Sequence, residues 1–157
     1  MNGPADEVHL ARAVVLARET MERGEGLPFG AVVVKDGVAV AEGANRTFSS
    51  GDPTEHAELV AIRRACRALG TLRLDGATVY ASGEPCPMCL GLMYQTGIAR
   101  YVFASTVEDA RRIGSRSADT YAELRRDPGE RSIRGEHRPV PAVLALFDAY
   151  RAGAAGR

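Results

Sequence analysis

Hydrophobic and polar positions alternate along the chain with periods that predict both helices and strands. Residues 5–23 carry an apolar stripe at the spacing of an amphipathic helix. The stripe consists of Leu10, Val14, Ala17 and Met21, widened by Val8, Ala11 and Val15. Two nearly continuous apolar runs, 31–34 and 38–41, flank Asp36 and Gly37. An Asp-Gly pair in this position predicts a β-hairpin, and the apolar runs predict strands that are covered on both faces.

Beyond a polar loop over 45–52, a second helix is predicted to begin with a capping box. Asp52 suits the N-cap, Pro53 suits the first helical position and Glu55 suits the third. Gly70 marks the end of this helix. The remaining predicted elements are strands over 77–81 and 99–104, a helix over 86–95, one or two helices over 107–126, a loop over 127–139 and a final helix over 142–151.

The order of these elements predicts an α/β fold. Strand–helix–strand units after the hairpin imply parallel pairing with right-handed crossovers. Helices on both faces then give a three-layer α/β/α sandwich around a mixed sheet. No internal repeat or change of composition marks a boundary, so we expect a single domain over 1–157, with a mobile tail at 152–157.

Composition narrows the class of protein. The chain has 157 residues, 20 basic and 20 acidic, with 45% hydrophobic residues, which excludes a disordered chain and argues against a strongly basic nucleic-acid binder. No apolar run approaches the roughly 18 residues that cross a bilayer, and the polar N-terminus is unlike a secretory signal. Only three cysteines occur, which argues against a disulfide framework. We therefore expect a cytoplasmic protein.

Two short segments carry the residues best suited to chemistry. One is the run His-Ala-Glu over 56–58, and the other is Pro-Cys-Pro-Met-Cys over 85–89, each near a predicted helix start. Cys86 and Cys89 are three residues apart and share a helix face. With His56 they offer the thiolate and imidazole ligands that tetrahedral zinc prefers. Three protein ligands leave the fourth position open, which is typical of a catalytic zinc site.

Glu58 is the candidate proton shuttle. It follows His56 by two positions, about 200° around a helix, so both side chains reach one point only if the helix end faces that point. The alternative interpretation is a solvated first-turn acid favoured by the helix dipole. The downstream cysteine motif favours the chemical role, because H-x-E followed by P-C-x-x-C is the pattern of zinc nucleobase deaminases.

With these motifs the chain resembles the cytidine/deoxycytidylate deaminase superfamily, and within it the bacterial guanine deaminases and related nucleobase deaminases. The stretches that carry the resemblance are 28–34, Asn45, 52–58 and 84–91, within a similar region over 5–125. The resemblance implies a cytidine-deaminase-like sheet of five strands in the order 2-1-3-4-5. It also implies a homodimer, in which a C-terminal segment is often exchanged between subunits.

The resemblance implies a role for each matching residue. The implied ligands of one Zn²⁺ per subunit are His56, Cys86 and Cys89, and the implied proton shuttle is Glu58. The implied substrate contacts are Asn45, Phe29, and the backbone at Ala57 and Ser82. On this interpretation Glu58 takes a proton from the zinc-bound water and delivers protons to the ring nitrogen and to the leaving ammonia.

Several substrates remain open at this point. Guanine or a related free purine or pyrimidine base fits a neutral chain, whereas tRNA, which needs basic phosphate contacts, does not. A tRNA adenosine deaminase and a cytosine-type free-base deaminase are the alternatives. In the guanine enzymes an acid after the fourth strand recognises the base, but Arg116 stands near that place here. Asp119 and Glu123 are either substitutes for that acid or surface residues.

A structural zinc module and an inactive partner subunit are the non-enzymatic alternatives, and the intact Glu58 argues against both.

Overall fold

The first strands of the chain form a hairpin around the Asp-Gly turn. In the computed structural model, which describes residues 3–154, β1 (Gly30–Lys35) and β2 (Val38–Ala44) pair antiparallel. Asp36 and Gly37 have φ angles of 51° and 78°, as a two-residue hairpin turn with positive φ at both positions requires. Strand β1 is buried on both faces as predicted. Strand β2 is not, because it lies at the edge of the sheet, where Val38 is 62% exposed.

The sheet has the order β2-β1-β3-β4 among the described residues. β3 (Thr78–Gly83) runs antiparallel to β1, and β4 (Arg100–Ser105) runs parallel to β3. This confirms the α/β fold class and the first four positions of the implied order 2-1-3-4-5. A fifth strand is not formed within residues 3–154, because the chain after β4 continues as short helices and as a loop rich in Pro and Gly, which do not suit a strand.

The helices take the predicted order. They are α1 (Pro4–Glu22), the short α2 (Thr47–Ser50), α3 (Ala57–Leu69), α4 (Pro87–Thr96), a 3-10 turn (Asp109–Ile113), α5 (Ser117–Arg125), a second 3-10 turn (Pro128–Glu130) and α6 (Pro141–Ala154). The final helix extends three residues beyond the predicted end, into the segment expected to be a mobile tail. Residues 155–157 of that tail lie outside the described part of the chain.

The buried face of helix α1 agrees only in part with the predicted one. Val8, Val14, Val15 and Met21 are between 42% and 66% exposed. The buried face consists of Asp6, Ala13, Leu16, Ala17 and Thr20. Small residues allow a close approach: a Cβ on Gly30 of β1 would lie 2.2 Å from the carbonyl oxygen of Ala13. The predicted stripe is correct for Ala17, which is buried, and for Leu10, which packs against this core, but it is wrong for the valines and Met21. Contact with the sheet selects mainly small side chains and two hydrogen-bonded polar ones over those larger residues.

The opposite face of the sheet carries the larger core. Helix α3 packs there through Ala57, Ala61, Ile62 and Ala65, against Val33, Val79 and Met93. Close packing again depends on glycine, because a Cβ on Gly43 of β2 would lie 2.3 Å from the carbonyl oxygen of Ala57. This contact presses the first turn of α3 against the sheet and thereby fixes its N-terminus.

The chain divides into two compact units, Met1–Ala122 and Glu123–Arg157. In the second unit, Glu123 accepts hydrogen bonds from the backbone N–H and hydroxyl of Ser132, at 2.7 and 2.8 Å. The single domain predicted over 1–157 stays a prediction. In the part of the chain that the structure describes, no helix combines the length and apolar character needed to span a bilayer.

Candidate metal centre and active site

Two helix N-termini carry the predicted metal ligands. His56 is the N-cap of α3 and Cys86 is the N-cap of α4. The predicted capping box is therefore wrong, because α3 begins at Ala57 rather than at Pro53. Asp52 instead accepts two hydrogen bonds from Thr54, each 2.7 Å long, and closes a local turn before the helix.

His56, Cys86 and Cys89 converge on one point. The His56 Nδ1 atom lies 3.5 Å from Cys86 Sγ and 3.6 Å from Cys89 Sγ, and the two sulfurs are 3.4 Å apart. A tetrahedral zinc with its usual bond lengths implies about 3.6 Å between nitrogen and sulfur and about 3.8 Å between sulfurs. The three ligand atoms thus have the spacing of a zinc centre whose fourth position is open.

The electrostatics of the cysteine pair also suit a cation. The hydrogen bond between the two thiols lowers the pKa of Cys86 to about 4, and His56 acts in the same direction. The same hydrogen bond and burial raise the pKa of Cys89. Both sulfurs must be deprotonated to bind a metal ion, so binding a divalent cation would release a proton.

Glu58 lies beside this centre in the first turn of α3. Its side chain is buried, with the residue only 7% exposed, and burial raises the pKa of its carboxyl group. His56 precedes the helix and Glu58 lies within its first turn, so both reach the same cavity although they are about 200° apart. The condition set by the sequence, that the helix end faces the site, is met.

Asn45 is held in the cavity wall by its own side-chain oxygen. Its Oδ1 atom accepts hydrogen bonds from the backbone N–H groups of Leu27 and Thr47, both at 3.2 Å, and from the Thr47 hydroxyl at 2.8 Å. The residue is 1% exposed and lines the same cavity as Glu58. Because three donors fix Oδ1, the Nδ2 amide is left to donate to a ligand.

Phe29 lines the cavity as predicted and is tightly seated. A Cβ placed on Gly83 would lie 2.7 Å from Phe29 Cε1, so the ring depends on a glycine at the end of β3. The neighbouring Ser82 has two structural partners: its hydroxyl accepts from Gly30 N at 3.0 Å, and its carbonyl accepts from the Ser105 hydroxyl at 3.0 Å. Ala57 is buried at the start of α3. Neither Ala57 nor Ser82 lines the cavity, and their substrate contacts stay predictions.

The cavity has further walls that sequence reasoning missed. They are Leu27, Glu84, Ala110, Ser115 and Ser117. Glu84 accepts a hydrogen bond from Val107 N at 2.9 Å and so anchors the loop after β4. The cavity has a volume of about 50 Å³, which is room for a few water molecules, and it is open to solvent on one side.

The two acids considered for recognition of the base, Asp119 and Glu123, bind other side chains. Asp119 accepts a hydrogen bond from Arg111 at 2.7 Å and is half exposed. Glu123 is occupied by Ser132 and by Arg126 at 2.7 Å. Arg116 is exposed and does not line the cavity, although the serines on either side of it do. These partners favour the interpretation of Asp119 and Glu123 as surface residues.

Comparison with known proteins agrees with this geometry. Residues 4–105 match the model of the cytidine and deoxycytidylate deaminase zinc-binding region. The chain belongs to this family. The match spans Glu58 and the three residues placed to hold a metal, and it confirms zinc as the cofactor and a zinc-dependent deaminase as the class of enzyme.

Individual relatives differ in how much of the chain they cover. Guanine deaminase of Bacillus subtilis is 43% identical over 92% of this chain and 93% of its own length. The solved structure of guanine deaminase from Bacillus subtilis superposes with a TM-score of 0.87 and covers 97% of this chain and 95% of that one, at 43% identity. The tRNA-specific adenosine deaminase of Bacillus subtilis is 40% identical, over 64% of this chain and 62% of its own length.

Proposed function

We propose that the protein deaminates a free purine base, with guanine as the substrate, by hydrolysis at a zinc centre. The observation that carries this proposal is the buried Glu58 carboxyl beside the His56, Cys86 and Cys89 ligand set. The near full-length similarity to a guanine deaminase supports guanine as the base. The reaction consumes water and releases ammonia, leaving a carbonyl oxygen at the ring carbon that bore the amino group.

In this mechanism His56, Cys86 and Cys89 would hold the zinc ion. When bound, the ion would supply a water molecule of lowered pKa at its open position. Glu58 carries one proton of the attacking water to the ring nitrogen and then the other proton to the departing amino group, which leaves as ammonia. The raised pKa of the buried Glu58 carboxyl suits this role, because a proton shuttle works best when its pKa lies near the working pH.

Asn45 and Phe29 orient the base. The Nδ2 amide of Asn45, left free by the three donors to Oδ1, donates to a ring nitrogen or carbonyl. Phe29 offers an aromatic surface in the same cavity. We also keep the backbone of Ala57 and Ser82 as proposed contacts to the ring and to the departing amino group, as the family pattern implies.

We further propose that the active form is a homodimer that exchanges its C-terminal segment. The apolar side chains of α6 are 42–77% exposed, a set that consists of Val143, Leu144, Leu146, Phe147 and Tyr150. A helix with this much exposed apolar surface is expected to pack against another subunit. The zinc cavity is open to solvent, so a segment from a second subunit could close it over the bound base.

The tRNA adenosine deaminases are the second candidate, favoured by 40% identity over 64% of the chain. The net charge of zero argues against them, because tRNA binding depends on a local excess of Arg and Lys. The guanine deaminase also matches 92% of this chain, whereas the tRNA adenosine deaminase matches 64%, which favours the first candidate.

Ammonia release decides among these candidates. Guanine, adenine, cytosine, guanosine and a tRNA anticodon stem-loop are supplied to the zinc-loaded protein, with Glu58→Ala as the control. We expect release from guanine that disappears in Glu58→Ala while the zinc content stays at one ion per chain. Inosine formation in the stem-loop without release from guanine would replace the proposal with the second candidate. Light scattering of the full chain tests the dimer, and a monomer would contradict it.

A further inference from the structure

A second polar cavity lies beside α3. It is lined by Arg46, Glu55, Val60, Arg63, Arg64 and Arg67, and it has a volume of about 150 Å³. Four guanidinium groups surround one carboxylate, so the formal charge of the lining is +3. The cavity is separate from the zinc site in its lining residues, although Arg46 follows Asn45 and Glu55 precedes His56 in the chain.

The ion pairs in this cavity are long. Glu55 lies 3.8 Å from Arg46 and 3.7 Å from Arg63, within the range of an ion pair but beyond the roughly 2.7–3.2 Å of a hydrogen bond. The Oε2 atom of Glu55 and the Nη2 atom of Arg63 are both buried, and neither has a hydrogen-bond partner among the described residues. A buried polar atom without a hydrogen bond is destabilising, so both atoms favour a ligand that can bridge them.

The other arginines are positioned as donors. Arg64 is anchored by a 2.9 Å hydrogen bond from Nη1 to the carbonyl oxygen of Glu42. Arg63 is anchored through Nε, which donates to the Leu59 carbonyl oxygen at 3.3 Å. The side chain of Arg67 has no hydrogen-bond or ion-pair partner within residues 3–154. Guanidinium forks in this arrangement match the oxygens of a tetrahedral anion.

We propose that this cavity binds a phosphate group that still carries one proton. The negative oxygens accept hydrogen bonds from Arg63, Arg67 and their neighbours, and the remaining P–OH donates to the orphaned Oε2 atom of Glu55. A fully deprotonated anion has no proton to give to the carboxylate. The site thus discriminates phosphate from sulfate, which has the same shape but lacks the donor at neutral pH.

Calorimetric titration of the zinc-loaded protein with inorganic phosphate tests the proposal at neutral pH, where the phosphate ion keeps at least one proton. We expect saturable binding that is tighter for phosphate than for sulfate. Arg67→Ala weakens phosphate binding about ten-fold, the loss expected for one charge-assisted hydrogen bond. Arg18→Ala, which removes an exposed arginine of α1, leaves it unchanged.

Glu55→Gln gives the opposite result for sulfate. The amide removes the negative charge and supplies a donor, so we expect sulfate to bind more tightly and the preference for phosphate over sulfate to disappear. This result does not depend on the stability of Arg67→Ala. Ribose 5-phosphate identifies the source of the group: tighter binding than inorganic phosphate points to a sugar or nucleotide phosphate, and equal binding points to the free ion.

Three outcomes would overturn the proposal. They are no saturable binding of phosphate to the wild-type protein, equal affinity for phosphate and sulfate, and equal affinity in wild type and a folded Arg67→Ala. Phosphate bound directly at the zinc site would give the last of these results, because Arg67 does not line that cavity.

Discussion

Arg100 on β4 holds Asp6 on α1 through two parallel hydrogen bonds, 2.9 and 2.6 Å long. The Tyr80 hydroxyl donates to the same carboxylate at 2.6 Å, so three donors surround a residue that is 6% exposed. These contacts join the first helix to two strands that are more than 70 residues away in sequence. They explain why an acidic residue, rather than one of the valines of α1, faces the sheet.

The Asp6 network predicts a loss of stability in acid. The hydrogen bonds from Arg100 and then Tyr80 hold the pKa of Asp6 well below its ordinary value. A depressed pKa in the folded state contributes stability above the unfolded value of about 3.9, and this contribution is lost as the pH falls toward the folded value. We expect the free energy of unfolding of wild type to fall toward that of Asp6→Asn between about pH 5 and pH 2.

Urea unfolding of both proteins at several pH values measures this convergence. Asp36→Asn is the matched control, because the Asp36 side chain is 88% exposed in the hairpin turn and its removal leaves the acid response of wild type in place. Curves for wild type and Asp6→Asn that run parallel through this range would contradict the role of Asp6.

Glu58→Gln separates proton transfer from zinc binding. The amide keeps the size of the side chain but cannot accept and return a proton, so we expect kcat to fall by roughly 10²–10⁴-fold or more. Zinc content measured by atomic emission stays at one ion per chain, because the three ligands are untouched. Activity within a few-fold of wild type would contradict the proton-shuttle role.

Cys86→Ser weakens the metal centre itself. A hydroxyl is a much poorer zinc ligand than a thiolate, so we expect loss of bound zinc and of deaminase activity. Because an ion that binds only the folded protein stabilises it, the melting temperature of wild type falls on chelation to near that of the variant. Cys66→Ser, which changes a cysteine outside the ligand set, retains zinc and serves as the control. Full zinc occupancy in Cys86→Ser would contradict the assignment.

Gly83→Ala tests whether the position of the Phe29 ring matters for binding of the base. The added methyl group would lie 2.7 Å from Cε1 of the ring, so the ring must move within the cavity. We expect KM for the base to rise several-fold while the zinc content is unchanged. Gly91→Ala in α4 is the control, because a Cβ there meets nothing within 4 Å, and it raises stability by up to about 1 kcal/mol. Unchanged KM in Gly83→Ala would remove Phe29 from the substrate contacts.

Local sequence patterns were sufficient to predict those features that depend on neighbouring residues. The Asp-Gly turn, the glycine at the end of α3 and the four strands were all predicted from neighbouring residues, because backbone sterics decide them. The capping box failed for a local reason as well. The Asp52 side chain can accept hydrogen bonds either at a helix N-cap or in a local turn, and here it accepts them from Thr54 in a turn before the helix.

The sequence alone predicted the metal ligands, the proton shuttle and the family, because the spacing of His56, Glu58, Cys86 and Cys89 matches the pattern of zinc nucleobase deaminases. The family is confirmed by the match over residues 4–105. Only the tertiary structure decided which face of α1 is buried, that Glu84 anchors a loop, and that Ser115 and Ser117 line the cavity. The arginine cavity beside α3 also emerged only there. Each of these depends on contacts between distant segments, whose energies are set by close packing and by the pairing of buried polar groups, and no local pattern records them.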